Sequence, residues 1–482
     1  MQDDRLALLT DFYQITMLAG YFEAGKANQR SQFELYFRRL PFEGGYCIAG
    51  GLEPALRYLK TCRFEPEEIQ YLRGLGIFSQ QFLEWLGQFR FRGDVWAIPE
   101  GHLVFAHEPL LRVEAALPEA QLVESALLNI MNFQTLVTTK AARMYVTSGN
   151  GSILEFGLRR AQGINGALAA SRAAYLGGCV GTSNTLAGKT FGIPVKGTMA
   201  HSWVMSFPTE LEAFRAYART YPDSCLLLVD TYDTLASGVP NAIRVGLELA
   251  RQGHRLAGIR LDSGDLAHLS KEARRMMDEA GLTDAKIVAS SDLDEHIIDS
   301  LRSQDARIDV WGVGTNLVTC KDEPALGGVY KLVAAEKEGR LEPRIKVSSN
   351  PAKTTIPGAK QVWRAYAADG LIQGDVLALC DESFADQEAV LCQHPLYAHS
   401  SQTLCGDRWE PQLALAVKGG EIVCELPSLE HLRQRTLRSL DLLGPEHKRL
   451  TNPHLYWVGL SPRLFDLKSR LVAAEAMALR DL

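Results

Sequence analysis

A histidine just beyond an apolar strand can turn its ring toward whatever the strand end faces, and a ring titrating near neutrality can accept a proton or a phosphoryl group. His201 stands in that place, in Gly197-Thr198-Met199-Ala200-His201-Ser202 after Ile193-Pro194-Val195-Lys196. Beside Trp203 it also reads as an ordinary packing residue. Gly258-Ile259-Arg260-Leu261-Asp262-Ser263-Gly264-Asp265 repeats the pattern, a strand running into a glycine turn that bears charge. Asp262 and Asp265 can hold Mg2+ or ribose hydroxyls, and Arg260 offers a planar two-pronged donor for a carboxylate. The same spacing allows Asp262 as a helix cap and Arg260 as a strand-end ion pair.

Three further strand ends carry suitable side chains. Glu155-Phe156-Gly157-Leu158-Arg159-Arg160 presents a ring that can stack on a heteroaromatic and guanidinium groups for an anion. Val229-Asp230-Thr231-Tyr232-Asp233 ends an apolar run in carboxylates that can bind metal or ribose, or cap the next helix. In Trp311-Gly312-Val313-Gly314-Thr315-Asn316, backbone N–H groups next to glycine and a hydroxyl can wrap a phosphate. Leu317 breaks the G-x-G-x-x-G dinucleotide fingerprint, and no G-x-x-x-x-G-K-[ST] loop occurs, so a nucleoside triphosphate would be held in some other way.

These groups need elements to aim them. Between about residues 153 and 333, short apolar runs alternate with helical stretches, the texture of strand–helix units around a parallel sheet. Strands are expected at Ser152–Phe156, Pro194–Gly197, Cys225–Asp230, Leu256–Leu261, Lys286–Ala289 and Val310–Val313. A barrel gathers the loops at the carboxyl ends of such strands on one face, although periodicity also allows an open doubly wound sheet. Before it, a helix capped by Thr10 or Asp11 and short strands (Gln32–Phe37, Val95–Ile98, Leu103–Ala106, Leu110–Val113) form a mixed α+β region, and a single long helix follows Pro118. Lys346–Lys353 reads as a loop leading to short strands and a charged helical tail. The expected domains are 1–135, 136–345 and 346–482, the last packing on the first.

Composition narrows the function classes. The chain has 482 residues, 46% of them hydrophobic, and a net charge of −6 without a long basic run, so no nucleic-acid partner is expected. The absence of a signal-like start or of an apolar window long enough for a span predicts no membrane association and a cytoplasmic location. The nine cysteines are odd in number and lack a C-x-x-C pair, which predicts reduced thiols. The later ones lie near His394 and His399, leaving a metal site open there.

Taken in order, Leu9-Thr10-Asp11-Phe12-Tyr13-Gln14-Ile15-Thr16-Met17, E-F-G-L-R-R-A-Q, G-T-M-A-H-S, L-V-D-T-Y-D, G-I-R-L-D-S-G-D and G-V-G-T resemble the nicotinate phosphoribosyltransferase family over residues 9 to 315. Gly327–Val333 and Thr355-Ile356-Pro357-Gly358 extend the likeness. The resemblance implies a type II phosphoribosyltransferase fold: an irregular α/β barrel with a flanking mixed α+β domain and a C-terminal extension, in a homodimer with shared active sites. It implies joining nicotinate to 5-phosphoribosyl 1-diphosphate to give nicotinate mononucleotide and diphosphate, as in the Preiss–Handler route to NAD, with Mg2+ as cofactor and ATP as co-substrate. Tyr13 from one subunit and Phe156 from the other would sandwich the pyridine ring. Arg260 and Thr198 would face the carboxylate, with Ser202 in the same motif and Arg159 beside the ring or the phosphates.

The resemblance further implies that ATP phosphorylates His201, that Asp262, Asp230 and Asp265 hold ribose hydroxyls or Mg2+, and that Gly314 and Thr315 take the 5′-phosphate. Relatives acting on nicotinamide carry Asp in a G-T-D-T-V-A-G segment. Here Gly181-Thr182-Ser183-Asn184-Thr185-Leu186-Ala187-Gly188 places Asn184 there, removing a charge that would repel a carboxylate. A nicotinamide phosphoribosyltransferase and a non-catalytic nucleotide-binding paralogue are the alternatives. A quinolinate-using relative would need more cations, and a metal-dependent aldolase a His and carboxylate ligand set that is missing.

Overall fold

The structure, a computed structural model, describes residues 6–397 and 399–478. The chain divides into two compact units, 137–324 and the segments on either side, 1–136 with 325–482.

Unit 137–324 is built on a parallel sheet of six strands in the order Gly181–Thr182, Ser152–Glu155, Val310–Val313, Lys286–Ala289, Gly258–Leu261 and Leu226–Leu228. Helices Gly163–Leu176, Thr185–Phe191, Val239–Arg251, Leu266–Glu279 and Glu295–Ser303 make the crossovers. Because helices cover such sheets, the strands can be apolar throughout: Ile153, Leu227, Leu228, Ile259, Leu261, Ile287, Ala289 and Val313 are at most 1% exposed. The sheet curls into a half barrel, the irregular α/β barrel expected. Its first edge continues only through a bridge from Thr182 to Val195 where a full strand Pro194–Gly197 was expected. Pairing of Leu228 with Arg260, and of Ala289 with both Leu261 and Trp311, levels the strand ends. Asp230, Asp262, Ser290 and Gly312 therefore fall along one edge.

The other unit holds an antiparallel sheet of seven strands in the order Arg340–Pro343, Gly328–Lys337, Arg30–Phe37, Leu111–Ala116, Asp94–Ala97, Ala414–Lys418 and Glu421–Ile422. Residues 325–345, expected with the barrel, lie in this unit because Gly328–Lys337 pairs with Arg30–Phe37 and Tyr330 stacks on Phe33 at 5.0 Å. A second sheet of six strands is drawn from the C-terminal region around Trp363, Val376 and Trp409. The first helix, Phe12–Glu23, starts after Asp11, whose carboxylate accepts from the Ser125 hydroxyl instead of capping. The helical stretch after Pro118 is two helices, Leu117–Leu122 and Glu124–Thr147, not one. Among the described residues no helix is long and apolar enough to cross a membrane.

Burial, together with nearby cations, pushes His102 and His107 of this unit down to about 4. Both are neutral when folded and take up a proton on unfolding below the ordinary histidine range of about 6.5. Their contribution to stability is therefore complete above that range and is lost as pH falls toward 4. The thermal midpoint should drop between pH 7 and pH 5, and the double variant His102→Gln/His107→Asn should drop less, read by circular dichroism. Asn is chosen at 107 because the backbone there has φ of 73°.

Candidate active site

The carboxyl edge of the parallel sheet brings five of the expected residues together, four of them joined by hydrogen bonds and His201 beside them. Arg260, near the end of Gly258–Leu261, donates through Nη2 to Asp262 Oδ1 at 2.7 Å, through Nη1 to Thr198 Oγ1 at 3.2 Å and through Nε to Ser290 Oγ at 2.7 Å. Ser290 in turn donates to Asp262 Oδ1. The other Asp262 oxygen, Oδ2, lies 3.7 Å from His201 Nε2, while His201 Nδ1 is 3.1 Å from Thr231 Oγ1. Asp230 Oδ2 accepts from the Asp262 backbone N–H at 2.8 Å and from the Ser263 hydroxyl at 2.6 Å. Burial pushes the Asp262 carboxyl up, but the Ser290 hydrogen bond, the Arg260 guanidinium and His201 outweigh it and hold the group below the usual aspartate range.

Phe156 supplies an aromatic wall. The Arg260 guanidinium carbon is 5.9 Å from its ring centre. The ring packs where a side chain at position 312 would stand: a Cβ on Gly312 would lie 2.8 Å from Phe156 Cδ2. Glycine at 312 thus leaves the space that the Phe156 ring fills. Gly314 runs along the Phe156 backbone and leads into the single turn Thr315–Val318. Arg159 and Ser202 are exposed on the flanks, the first in the turn Leu158–Arg160 and the second in the short helix His201–Met205. A flat ring bearing a carboxylate fits this geometry, with Phe156 for its face, Arg260 and Thr198 for its charge, and acids and a histidine beside it.

Two expected residues have side chains engaged elsewhere. Asp265 Oδ1 accepts from His268 N–H at 3.0 Å, capping helix Leu266–Glu279. Asn184 is buried, accepts from Ala187 N–H as the cap of helix Thr185–Phe191, and donates to Ser171 Oγ at 3.3 Å. Tyr13 belongs to the other unit, on helix Phe12–Glu23, where it is 49% exposed. Ser290 and Thr231 were missed by the sequence reading. Ser290 occupies the first position after strand Lys286–Ala289, the slot that Phe156 fills after its own strand, and that register was the available signal.

Among the described residues no group of three or more His, Cys, Asp or Glu side chains is placed to hold a metal, the C-terminal cysteines with His394 and His399 included. Asp230 Oδ1 is buried without a partner and Asp262 Oδ2 has only the distant His201, so these two oxygens are available to a cation. Two carboxylates completed by substrate phosphates and water suit Mg2+.

Comparison with known proteins gives a consistent answer. Three family models match in succession: the nicotinate phosphoribosyltransferase (NAPRTase) N-terminal domain at residues 8–132, the NAPRTase family at 152–368 and the C-terminal domain at 359–468. Nicotinate phosphoribosyltransferase of Bacillus subtilis (strain 168) is 47% identical over 481 residues, covering 98% of this chain and 97% of that one. The protein of that name from Homo sapiens is 37% identical over 526 residues, covering 97% of each. The crystal structure of human nicotinic acid phosphoribosyltransferase is similar with a TM-score of 0.85 at 35% identity, over 96% of this chain and 99% of that one. A nicotinate-nucleotide pyrophosphorylase from Pyrococcus furiosus shares the fold, with a TM-score of 0.68 at 21% identity, over 92% of this chain and 97% of that one.

Proposed function

The chain belongs to the nicotinate phosphoribosyltransferase family, enzymes of NAD biosynthesis, and on that premise we propose how its own residues carry out the transfer. Nicotinate lies with its ring on Phe156 and its carboxylate on Arg260 and Thr198. The bond between ribose C1 and the diphosphate oxygen of 5-phosphoribosyl 1-diphosphate breaks, and diphosphate leaves with the electron pair. The pyridine nitrogen lone pair forms the new C1–N bond, giving nicotinate mononucleotide. No general base is needed, because that nitrogen carries no proton to remove. The residues act by alignment and by stabilising the positive charge that develops on C1.

Asp262 and Asp230 face the ribose, and they are the residues that would hold Mg2+, which when bound neutralises the departing phosphate oxygens. Asp265, engaged as a cap, lies outside that pair. Gly314 and Thr315 receive the 5′-phosphate, with Arg159 beside the ring or the phosphates and Ser202 next to His201. ATP transfers its γ-phosphoryl group to His201: the bond from the γ phosphorus to the β,γ-bridging oxygen breaks and ADP leaves with the electron pair. In the tautomer that donates from Nδ1 to Thr231, the Nε2 lone pair is the one left to form the P–N bond, and water later cleaves that bond, releasing inorganic phosphate and restoring the imidazole. The enzyme works as a homodimer in which Tyr13 of the partner subunit closes the ring site opposite Phe156; the half-exposed Tyr13 supports this. Cysteines kept as thiols, as at Cys62, Cys225 and Cys392, support the cytoplasm as its location.

The observation that carries the reading is Arg260, held by three neighbours beside the Phe156 ring. It favours nicotinate over nicotinamide, since a fixed guanidinium pairs with a carboxylate and gains little from a neutral amide. Asn184 adds to this by lacking charge, not by touching the ring. Mixed-substrate assays with 5-phosphoribosyl 1-diphosphate, Mg2+ and ATP should form nicotinate mononucleotide with at least about a hundredfold preference in kcat/KM over nicotinamide. Comparable use of both would assign the chain to amide substrates, and no turnover of either would make it a non-catalytic paralogue.

A further inference from the structure

Beneath the ring site lies a buried acid that the mechanism above does not use. Glu155 is 1% exposed at the end of strand Ser152–Glu155, one strand in from the edge of the parallel sheet. A carboxylate so placed is costly unless donors surround it. Here three do: Glu155 Oε1 accepts from Gly157 N–H, and Oε2 accepts from the hydroxyls of Thr182 and of Ser171, the latter at 2.8 Å. All three of these donors are neutral groups.

Each donor leads to a segment around the ligand site. Gly157 opens the turn Leu158–Arg160 and follows Phe156, so the Oε1 contact spans the aromatic residue and fixes the backbone on both its sides. Gly157 itself tolerates no side chain, since a Cβ there would lie 2.3 Å from Val318 Cγ1 and 2.9 Å from the Gly314 carbonyl oxygen. Thr182 Oγ1 also accepts from Asn184 N–H at 2.9 Å, and Ser171 Oγ accepts from Asn184 Nδ2 at 3.3 Å. One carboxylate thus ties the segment bearing Phe156 and Arg159 to the turn bearing Asn184. Asn184 is compatible with it: an Asp at 184 would turn a second carboxylate toward the Ser171 hydroxyl already engaged by the first.

We propose that Glu155, through Thr182 and Ser171, is a positioning residue that sets the pyridine-binding wall, holding Phe156 in the plane that receives the ring and fixing the turn that bears Asn184. It touches no substrate. This rests on the placement of nicotinate against Phe156 given above. Because the Oε1 contact grips the backbone on both sides of Phe156, loss of the Glu155 network should weaken nicotinate binding far more than binding of the diphosphate substrate.

The test is the KM of each substrate in Thr182→Val, which removes the hydroxyl at nearly constant volume, and in Thr182→Ser, which restores it. Thr182→Val should raise the nicotinate KM about tenfold, with the KM for 5-phosphoribosyl 1-diphosphate within about twofold and kcat within about threefold of wild type. Thr182→Ser should return the nicotinate KM to near wild type. Ser171→Ala, which leaves the carboxylate two donors, should move the same constant about threefold, and serves if Thr182→Val does not fold. An unchanged nicotinate KM in a folded variant, or equal increases for both substrates, overturns the proposal. Phe156→Leu separates the two layers. If it raises the nicotinate KM while Thr182→Val and Ser171→Ala do not, only the role of Glu155 fails. If Phe156→Leu also leaves it unchanged, the placement of the ring fails.

Discussion

Arg260→Ala is expected to lower kcat/KM for nicotinate by about two to three orders of magnitude, which corresponds to roughly 3–4 kcal/mol. The size follows from what the guanidinium does. In the proposed complex it gives the substrate carboxylate a charge-assisted contact, and its three present partners hold it in one orientation. Arg260→Lys keeps the charge but not the fork and cannot bond Thr198, Ser290 and Asp262 at once, so a loss of about tenfold or more is expected. Activity with nicotinamide should change much less, so that discrimination between the two pyridines narrows; side-by-side kinetics measure this. Arg260→Ala also removes one of the influences that hold the Asp262 carboxyl low. In the wild type the Asp262 carboxyl stays ionised to lower pH than an ordinary aspartate, so activity that depends on it should persist to correspondingly lower pH. In the variant the acid limb of the rate profile should move to higher pH.

Replacing His201 should separate the transfer from its coupling to ATP. His201→Ala is expected to abolish ATP stimulation of nicotinate mononucleotide formation and the accompanying ATP hydrolysis, while slow transfer persists, because Phe156, Arg260 and Asp262 remain connected without the imidazole. Mass spectrometry of wild type incubated with ATP should find a phosphoryl group on the peptide carrying residue 201, and none in the variant. Thr231→Val, which removes the partner of Nδ1, should weaken stimulation without abolishing it. A variant lacking His201 that ATP still stimulates fully would remove the histidine from the coupling.

The strand pattern was legible because the apolar runs are short, buried on both faces and followed by chemistry. Lys286–Ala289 and Val310–Val313 were bounded as observed. The two-residue strand Gly181–Thr182 was not, since so brief a pairing leaves no periodicity. The division at 345 failed for a different reason: the pairing of Gly328–Lys337 with Arg30–Phe37 joins segments about three hundred residues apart, and no local signal encodes that. Within the site, spacing brought Thr198, His201, Asp230, Arg260 and Asp262 to one edge but could not tell a ligand-facing carboxylate from a cap. In a strand–helix unit the first residues after a strand both line the site and start the next helix. Asp262 and Asp265 illustrate the two outcomes from one motif, the first bonded to Arg260 and the second to a backbone N–H. Ser290 escaped notice because a lone serine has no distinguishing pattern; only its register beside Leu261 marks it.

The central claim is that one strand edge encloses a flat anionic pyridine next to an activated ribose phosphate. A crystal structure of the homogeneous enzyme with nicotinate mononucleotide and diphosphate measures this directly. The expected result has the pyridine carboxylate within hydrogen-bond distance of the Arg260 guanidinium, about 3 Å, the ring against Phe156, and the ribose beside Asp230 and Asp262. A product bound with its carboxylate away from Arg260 and its ribose away from both aspartates would contradict the account.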